Sequence, residues 1–377
     1  MAHEKHTALQ KPKRGVFARN EISILGSNCN KIKNMAHAIA ATLHPKIAIT
    51  YVDADHAREE NQTSEHEVFA AVFTDKITFS EYQLHQPTNS RLENAFYDAT
   101  ALTLINGNHN RGSQQIVLID PKKEASLIKR KEALTQVLAI VGKEKEFPSY
   151  IKECIPHFAE IPFFLESEAT ALALFIAKQL EQHSPPIKGL ILAGGKSSRM
   201  GTDKAFIAYH GQAQHLHLQS LLDTFCESIA VSCSPDQAEA FEHPLTDSFL
   251  GLGPMGGILS AFRSDPNAAW LTVPCDVPLL DLQTLEHLIE LRNPSKMATS
   301  FLNSSTGFPE PLITLWEPKA YPILLEYLSM GYSCPRKVLI NSDVELVNLE
   351  DQSVLFNANT LNEQKEVVEI LSKKIDS

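Results

Sequence analysis

The sequence predicts an α/β chain in two halves, and three observations predict it. Apolar runs at 21–25 and 187–193 each lead into a glycine turn, further apolar runs recur between helical stretches, and Gln182-His183-Ser184-Pro185-Pro186 interrupts the pattern mid-chain. Strands that alternate with helices in this way build parallel sheets. At 377 residues the chain exceeds the usual single-core size of roughly 100 to 200 residues, so residues 1–183 and 187–377 are expected as two α/β domains with 184–186 as the linker. The Pro-Pro step cannot continue the helical run Ala171 to Leu180 that precedes it.

In the first half, Glu21 to Leu25 reads as a strand, Gly26-Ser27-Asn28 as a turn, and the run through Ala36 as a helix. A second strand is expected over Lys46 to Val52 and a third over Ala101 to Ile105. This is the layout of a P-loop without its chemistry. A working loop needs a second Gly before its Lys and a Ser or Thr after it, and those places hold Lys31, Ile32 and Lys33. The half therefore reads as a degenerate P-loop-type fold kept for docking or stability, or as a general α/β packing domain. Asp53, Asp55 and His56 could suggest a metal, but with Glu59 and Glu60 nearby a solvated acidic loop explains them as well.

The second half opens on Leu192-Ala193-Gly194-Gly195-Lys196-Ser197-Ser198-Arg199-Met200-Gly201-Thr202-Asp203-Lys204. The strand delivers a glycine turn whose backbone can approach a ligand closely, and Lys196, Arg199 and Lys204 suit the spread charge of a nucleoside triphosphate. It is neither a Walker A loop nor a dinucleotide GxGxxG. Gly251 to Phe262 is a glycine-dense turn opening a helix, a wall for a base or second substrate or else a plain helix start. Ala269 to Leu280 reads as a buried strand carrying Asp276 to its C-terminal edge, where open α/β sheets bind ligands. Beside a polyphosphate that carboxylate would hold Mg²⁺; its other reading is a cap on the helix that starts near Leu282. Thr360 to Ile375 is expected as a final amphipathic helix.

With every fixed position of LxGGxSxRMGxDK filled, this half resembles the nucleotidyltransferases that activate small metabolites, and specifically the molybdenum cofactor guanylyltransferase family. Pro274, Cys275, Asp276 and Pro278 reproduce the family's PCDxP element, which implies that Asp276 is the magnesium ligand. The resemblance implies a three-layer, Rossmann-like, mainly parallel sheet and transfer of GMP from GTP to the phosphate of molybdopterin, already carrying molybdenum, with release of pyrophosphate. It implies that Gly194, Gly195, Arg199 and Lys204 hold and polarise the triphosphate, with Leu192 and Ala193 lining the nucleotide. A GPLAG-like loop falls at Gly253 to Gly257, and a nucleotide-contacting aspartate just upstream falls on Asp247, which otherwise reads as a surface-turn residue. At the end of the strand Ser228 to Cys233, the asparagine that relatives place near guanine is replaced by Ser232, whose hydroxyl offers fewer hydrogen-bonding groups. Phe308 to Trp316 and Tyr321 to Leu328 resemble the family's closing strand and helix, and Glu317, which follows that strand where relatives can carry an amide, reads as a pterin or metal contact or as a solvated loop residue.

The order of elements in the first half resembles the small MobB-like GTP-binding adaptor often paired with the guanylyltransferase, with Asn106 replacing the acid of its Glu-Gly pair. The resemblance also implies a molybdenum insertase and apo-molybdoenzymes as partners. A cytidylyltransferase or another small-metabolite transferase is the second enzymatic reading, against which Gly195 stands where those relatives usually carry alanine. The third reading is an inactive nucleotide-binding scaffold or sensor of cofactor assembly.

Composition narrows the classes. Hydrophobic residues make up 43%, charged residues 21%, and the net charge is −11, which fits an acidic cytoplasmic protein and disfavours nucleic acid and anionic membranes. No apolar stretch approaches the roughly 18 residues of a spanning helix, and the first six residues carry no secretory pattern. Cys29, Cys154, Cys226, Cys233, Cys275 and Cys334 show no metal-binding spacing.

Overall fold

A computed structural model describes residues 15–54, 71–84, 95–193 and 203–375. The chain divides into two compact units, the first ending at His183 and the second beginning at Ser184.

The first unit runs β1 (Glu21–Leu25), α1 (Cys29–Leu43), β2 (Ile49–Val52), a hairpin of β3 (Ala71–Asp75) and β4 (Ser80–Leu84), β5 (Leu102–Asn106) and β6 (Gln114–Leu118). It continues through α2 (Glu124–Lys129), β7 (Val137–Gly142), α3 (Ser149–Cys154), β8 (Phe163–Leu165) and α4 (Ala169–Gln182). Six strands form an all-parallel sheet in the order β2-β5-β1-β6-β7-β8, and β3 and β4 pair antiparallel by themselves. Helix α1 buries Ile32, Met35, Ala36, Ile39 and Leu43, a helical-period stripe that packs with Leu172, Ala173 and Ile176 of α4 on one face of the sheet. On the other face Leu127, Tyr150, Ile151 and Cys154 cover Val117 and Ile140.

Strand β2 starts three residues later than its composition suggests. The Ile47 N–H turns back to the Leu43 carbonyl (3.0 Å), so the chain is still leaving α1 when it reaches Ile47. The turn after β1 departs further from a P-loop. Only Gly26, Ser27 and Asn28 separate strand from helix. Gly26 holds φ +94°, and a Cβ there would lie 2.4 Å from the Leu118 carbonyl oxygen, so the chain crosses β6 where no side chain fits.

The second unit runs β9 (Ile187–Leu192), α5 (Gln214–Leu222), β10 (Ile229–Cys233), β11 (Pro244–Thr246), α6 (Pro254–Ser264), β12 (Ala269–Pro274) and α7 (Leu282–Glu290). Then come β13 (Ala298–Asn303), β14 (Phe308–Trp316), α8 (Ala320–Ser329), α9 (Pro335–Ile340), β15 (Val344–Val347) and α10 (Leu361–Ile375). Seven strands take the order β11-β10-β9-β12-β14-β13-β15, parallel except for β14, which is antiparallel to both neighbours. Alternation within β9 feeds both faces: Ile191 joins Leu218, Leu222, Leu285 and Leu288 below one set of helices, and Leu190 and Leu192 join Ile258, Phe262 and Leu324 below the other. Phe262 and Phe301 are fully buried, each contributing roughly 1.5–3 kcal/mol. This is the expected three-layer, mainly parallel arrangement. Among the described residues no helix is long and apolar enough to cross a membrane.

Candidate functional site

Strand β9 sits between β10 and β12, the next two long strands of its unit, so the chain reverses direction across the sheet at its carboxyl end. Open α/β sheets place ligand crevices at such a switch point. Here the backbone stitches three strand ends together: Ala193 N–H donates to the Ser232 carbonyl (3.1 Å) and Cys275 N–H to the Leu192 carbonyl (3.3 Å). Leu192 and Ala193 are themselves buried, so any contact they offer a nucleotide is through their main chain. Gly194, Gly195 and Arg199, with the rest of 194–202, lie outside the described residues.

The chain returns at Asp203, whose carboxylate accepts the Ala205 N–H (3.1 Å) and Gln237 Nε2 (2.6 Å) and so fixes the short turn that carries Lys204. Lys204 Nζ donates to Asp276 Oδ2 (3.3 Å) and to Asn359 Oδ1 (2.5 Å). Asp276 Oδ1 is buried and makes no hydrogen bond among the described residues. A buried, unpaired carboxylate oxygen is costly unless a donor or a cation meets it. Asp276 does not cap α7; Asp281 does, its Oδ1 accepting the Thr284 N–H (2.9 Å), which removes the capping reading.

Asn359 is a site residue that the sequence reading missed. The Asp276 carbonyl accepts the Ala358 N–H (2.8 Å), which brings the segment before α10 alongside the aspartate. A local signal existed. Thr360 and Glu363 form a reciprocal cap, the carboxylate accepting the N–H groups of Asn359 (2.7 Å) and Thr360 (2.8 Å), which marks a helix start just beyond Asn359. Glu310 on β14 is a second omission. Burial pushes its carboxyl up, opposed by the guanidinium of Arg336 at 3.8 Å and reinforced by the nearby Asp276 charge.

Ser232 and Asp247 meet directly, the hydroxyl donating to Asp247 Oδ1 (2.9 Å). Burial pushes the Asp247 carboxyl up, while the Ser232 hydrogen bond works the other way, so Asp247 is not a solvated surface turn. Helix α6 lies against this pair. A Cβ on Gly257 would sit 2.4 Å from Ser232 Oγ, so the glycine lets the helix press onto the strand end. Glu317 is corrected more sharply. It is 1% exposed and grips Arg292 in a bidentate pair (2.7 and 3.0 Å), while Arg292 also donates to the Pro185 carbonyl (2.9 Å), so it is a structural anchor, neither solvated nor free for a ligand.

The loop carrying Asp276 is held from the far side as well, by His210 Nε2 donating to the Pro278 carbonyl (2.8 Å). The His210 ring stacks on His217 at 3.6 Å, and burial with the neighbouring His210 pushes the His217 pKa down to about 4. The unfolded chain binds a proton below about pH 6.5 that the native His217 refuses until about pH 4, so this site's stability is complete above the window and is lost as pH falls through it. Melting temperature should therefore fall less from pH 7 to pH 5 in His217→Gln than in the parent; equal slopes would refute the assignment.

Among the described residues no three His, Cys, Asp or Glu side chains are grouped to hold a metal. A site of one carboxylate beside a phosphate-seeking lysine instead suits a hard cation that takes its remaining ligands from water and substrate phosphates. Such a site, on this sheet edge, fits the class of nucleotidyltransferases. Residues 189–344 match the family model of the MobA-like NTP transferase domain. A probable molybdenum cofactor guanylyltransferase of Carboxydothermus hydrogenoformans is 30% identical over 192 residues, 49% of this chain and 96% of that one. The chain belongs to the molybdenum cofactor guanylyltransferase family. A molybdenum cofactor biosynthesis bifunctional protein of Synechocystis sp. is 35% identical over 179 residues, 46% of this chain and 52% of that protein, so the match spans about half that relative's length. The solved molybdopterin-guanine dinucleotide biosynthesis protein A of Archaeoglobus fulgidus is similar at 24% identity and a TM-score of 0.43, over 49% of this chain and 99% of that one.

Proposed function

We propose that the second unit transfers GMP from GTP to the terminal phosphate of molybdopterin and releases pyrophosphate. The observation that carries the reading is the buried Asp276 Oδ1, without a hydrogen bond among the described residues, beside the Lys204 ammonium at the edge where β9, β10 and β12 end. An acceptor phosphate oxygen attacks the α-phosphorus, and the bond from that phosphorus to the bridging oxygen of the β-phosphate breaks. No covalent enzyme intermediate is needed, because phosphoryl-type transfer depends on alignment and charge neutralisation. Asp276 would hold Mg²⁺, which supplies charge neutralisation at the polyphosphate when bound. Lys204, poised by Asn359, brings a second positive charge to the phosphates, and Gly194, Gly195 and Arg199 complete the cradle in this reading. Ser232 and Asp247 form the wall that meets the nucleoside. A cation and carboxylate kept together where substrate phosphates would lie also argue for a working enzyme over an inactive scaffold.

The first unit is, in the same proposal, a MobB-like P-loop relative that no longer binds nucleotide. Its helix N-terminus is capped from within the chain, the Lys31 N–H donating to Asn28 Oδ1 (3.0 Å), and Ser27 Oγ donates to the buried Asp120 carboxylate (2.7 Å). An anion there would face Asp120, whose carboxyl is held below its usual range; burial opposes this, but hydrogen bonds from Ser27 and the Lys122 N–H, with Lys31 nearby, outweigh it.

The test is incubation of the full chain with Mg²⁺, pterin acceptor and GTP, CTP or ATP in turn, with pyrophosphate measured and bound GTP counted by equilibrium dialysis. GTP-dependent pyrophosphate and a single GTP per chain are expected. Preference for CTP would transfer the assignment to cytidylyl transfer, no release with any nucleotide would overturn it, and two GTP per chain would overturn the reading of the first unit.

A further inference from the structure

The degenerate turn of the first unit holds a side-chain cluster with chemistry of its own. Cys29 is the first residue of α1, at the carboxyl end of central strand β1. Its Sγ lies 3.3 Å from His109 Nε2 and 3.6 Å from Asn108 Nδ2. The amide is oriented by Arg130, which donates to Asn108 Oδ1 (2.9 Å), so its nitrogen faces the sulfur and the Ser27 carbonyl (2.9 Å). His109 is seated by its own N–H on the Asn106 carbonyl (3.1 Å), with Asp53 Oδ1 3.9 Å from Nε2. Asp53 in turn accepts from Asn106 Nδ2 (2.8 Å) and from the Tyr51 hydroxyl (2.9 Å). Burial works against its charge, but the Ala54 N–H and these two donors, with His109 nearby, hold the carboxyl below its usual range. Cys29 Sγ and the Asp53 carboxylate thus both face His109 Nε2, so the imidazole can take the thiol proton with an ionised carboxylate close by.

We propose that Cys29 is a nucleophilic thiol, assisted by His109, that undergoes exchange with small organic disulfides and is a covalent modification site of this chain. His109 takes the thiol proton as Sγ attacks one sulfur of the disulfide. A new S–S bond forms, the old one breaks, and the departing thiolate recovers the proton from the imidazolium, which Asp53 stabilises meanwhile. Cys29 is half-buried. The other thiols give the contrast. Cys154, Cys233 and Cys275 are buried and pushed up, burial also pushes Cys226 up to about 12, and Cys334 is exposed. Accessibility alone therefore ranks Cys334 first, whereas the cluster ranks Cys29 first.

The experiment treats the full chain at pH 7 with 2-hydroxyethyl disulfide and follows each cysteine by peptide mass spectrometry. Labelling of Cys29 is expected to run about tenfold faster than that of Cys334, and His109→Asn to slow Cys29 by about tenfold while leaving Cys334 within about twofold. An unfolded variant would betray itself by labelling at buried Cys154, in which case His109→Gln takes its place. Cys334 reacting as fast as or faster than Cys29 in the parent chain overturns the proposal without any variant, and so does an unchanged Cys29 rate in a folded His109 variant. The outcome is independent of whether the second unit transfers GMP.

Discussion

Asp276→Asn is expected to lower Mg²⁺-dependent pyrophosphate release by at least about 10²-fold, or about 2.7 kcal/mol of transition-state stabilisation, while the melting temperature stays within a few degrees of the parent. The reason is geometric. The carboxylate pairs with Lys204 through Oδ2 and leaves Oδ1 buried without a hydrogen bond among the described residues, and asparagine keeps the shape while removing the charge a cation requires. The retained fold follows from the same pattern, since the main-chain link from Asp276 to Ala358 does not involve the side chain. Activity persisting within about threefold, less than 1 kcal/mol, would remove Asp276 from the metal-binding role. Measuring release across a Mg²⁺ titration separates weakened metal binding, which excess metal restores, from a loss that it does not restore.

Glu317→Ala should be the most destabilising single change near the sheet, costing about 3–5 kcal/mol and lowering the melting temperature of the second unit by on the order of 10 °C. Removing the carboxylate strands the Arg292 guanidinium, whose side chain is 12% exposed, against a carbonyl it cannot neutralise. Most of that loss comes from the charge left behind rather than from the pair's own strength. The double substitution Arg292→Met with Glu317→Leu should therefore recover most of the stability. Scanning calorimetry of the full-length chain decides the matter: a Glu317→Ala transition within about 2 °C of the parent would mean that the pair contributes little.

Contrasting outcomes for these two acids show what a linear reading can reach. The place of Asp276 was legible because its cues are local: an apolar strand, a proline on either side and a carboxylate at the strand's carboxyl end. Strand β14 was legible through the family resemblance, whose closing strand falls on Phe308–Trp316. Glu317, one residue beyond that strand, was misread because its burial is set by Arg292, 25 residues earlier in the chain. Asn359 lies 155 residues from Lys204, and no spacing rule connects them. Ser232 and Asp247 were named separately, but their hydrogen bond arises only when the turn after β11 comes back past the end of β10. The hairpin β3–β4 left no imprint to read, because its side chains are exposed or only half-buried, and burial is what gives a strand its alternating pattern.

The three residues between β1 and α1 set a limit on what substitution can do to the first unit. A phosphate-wrapping loop needs a glycine, four further residues and a second glycine before its lysine, so the connection here is too short whatever residues fill it. If the first unit is the P-loop relative proposed above, rebuilding a phosphate-wrapping loop would take an insertion between strand and helix, and such an insertion would displace Cys29 from the first turn of α1. The turn's length thus acts as a one-way gate: its present geometry and a triphosphate cradle are mutually exclusive occupants of the same sheet edge.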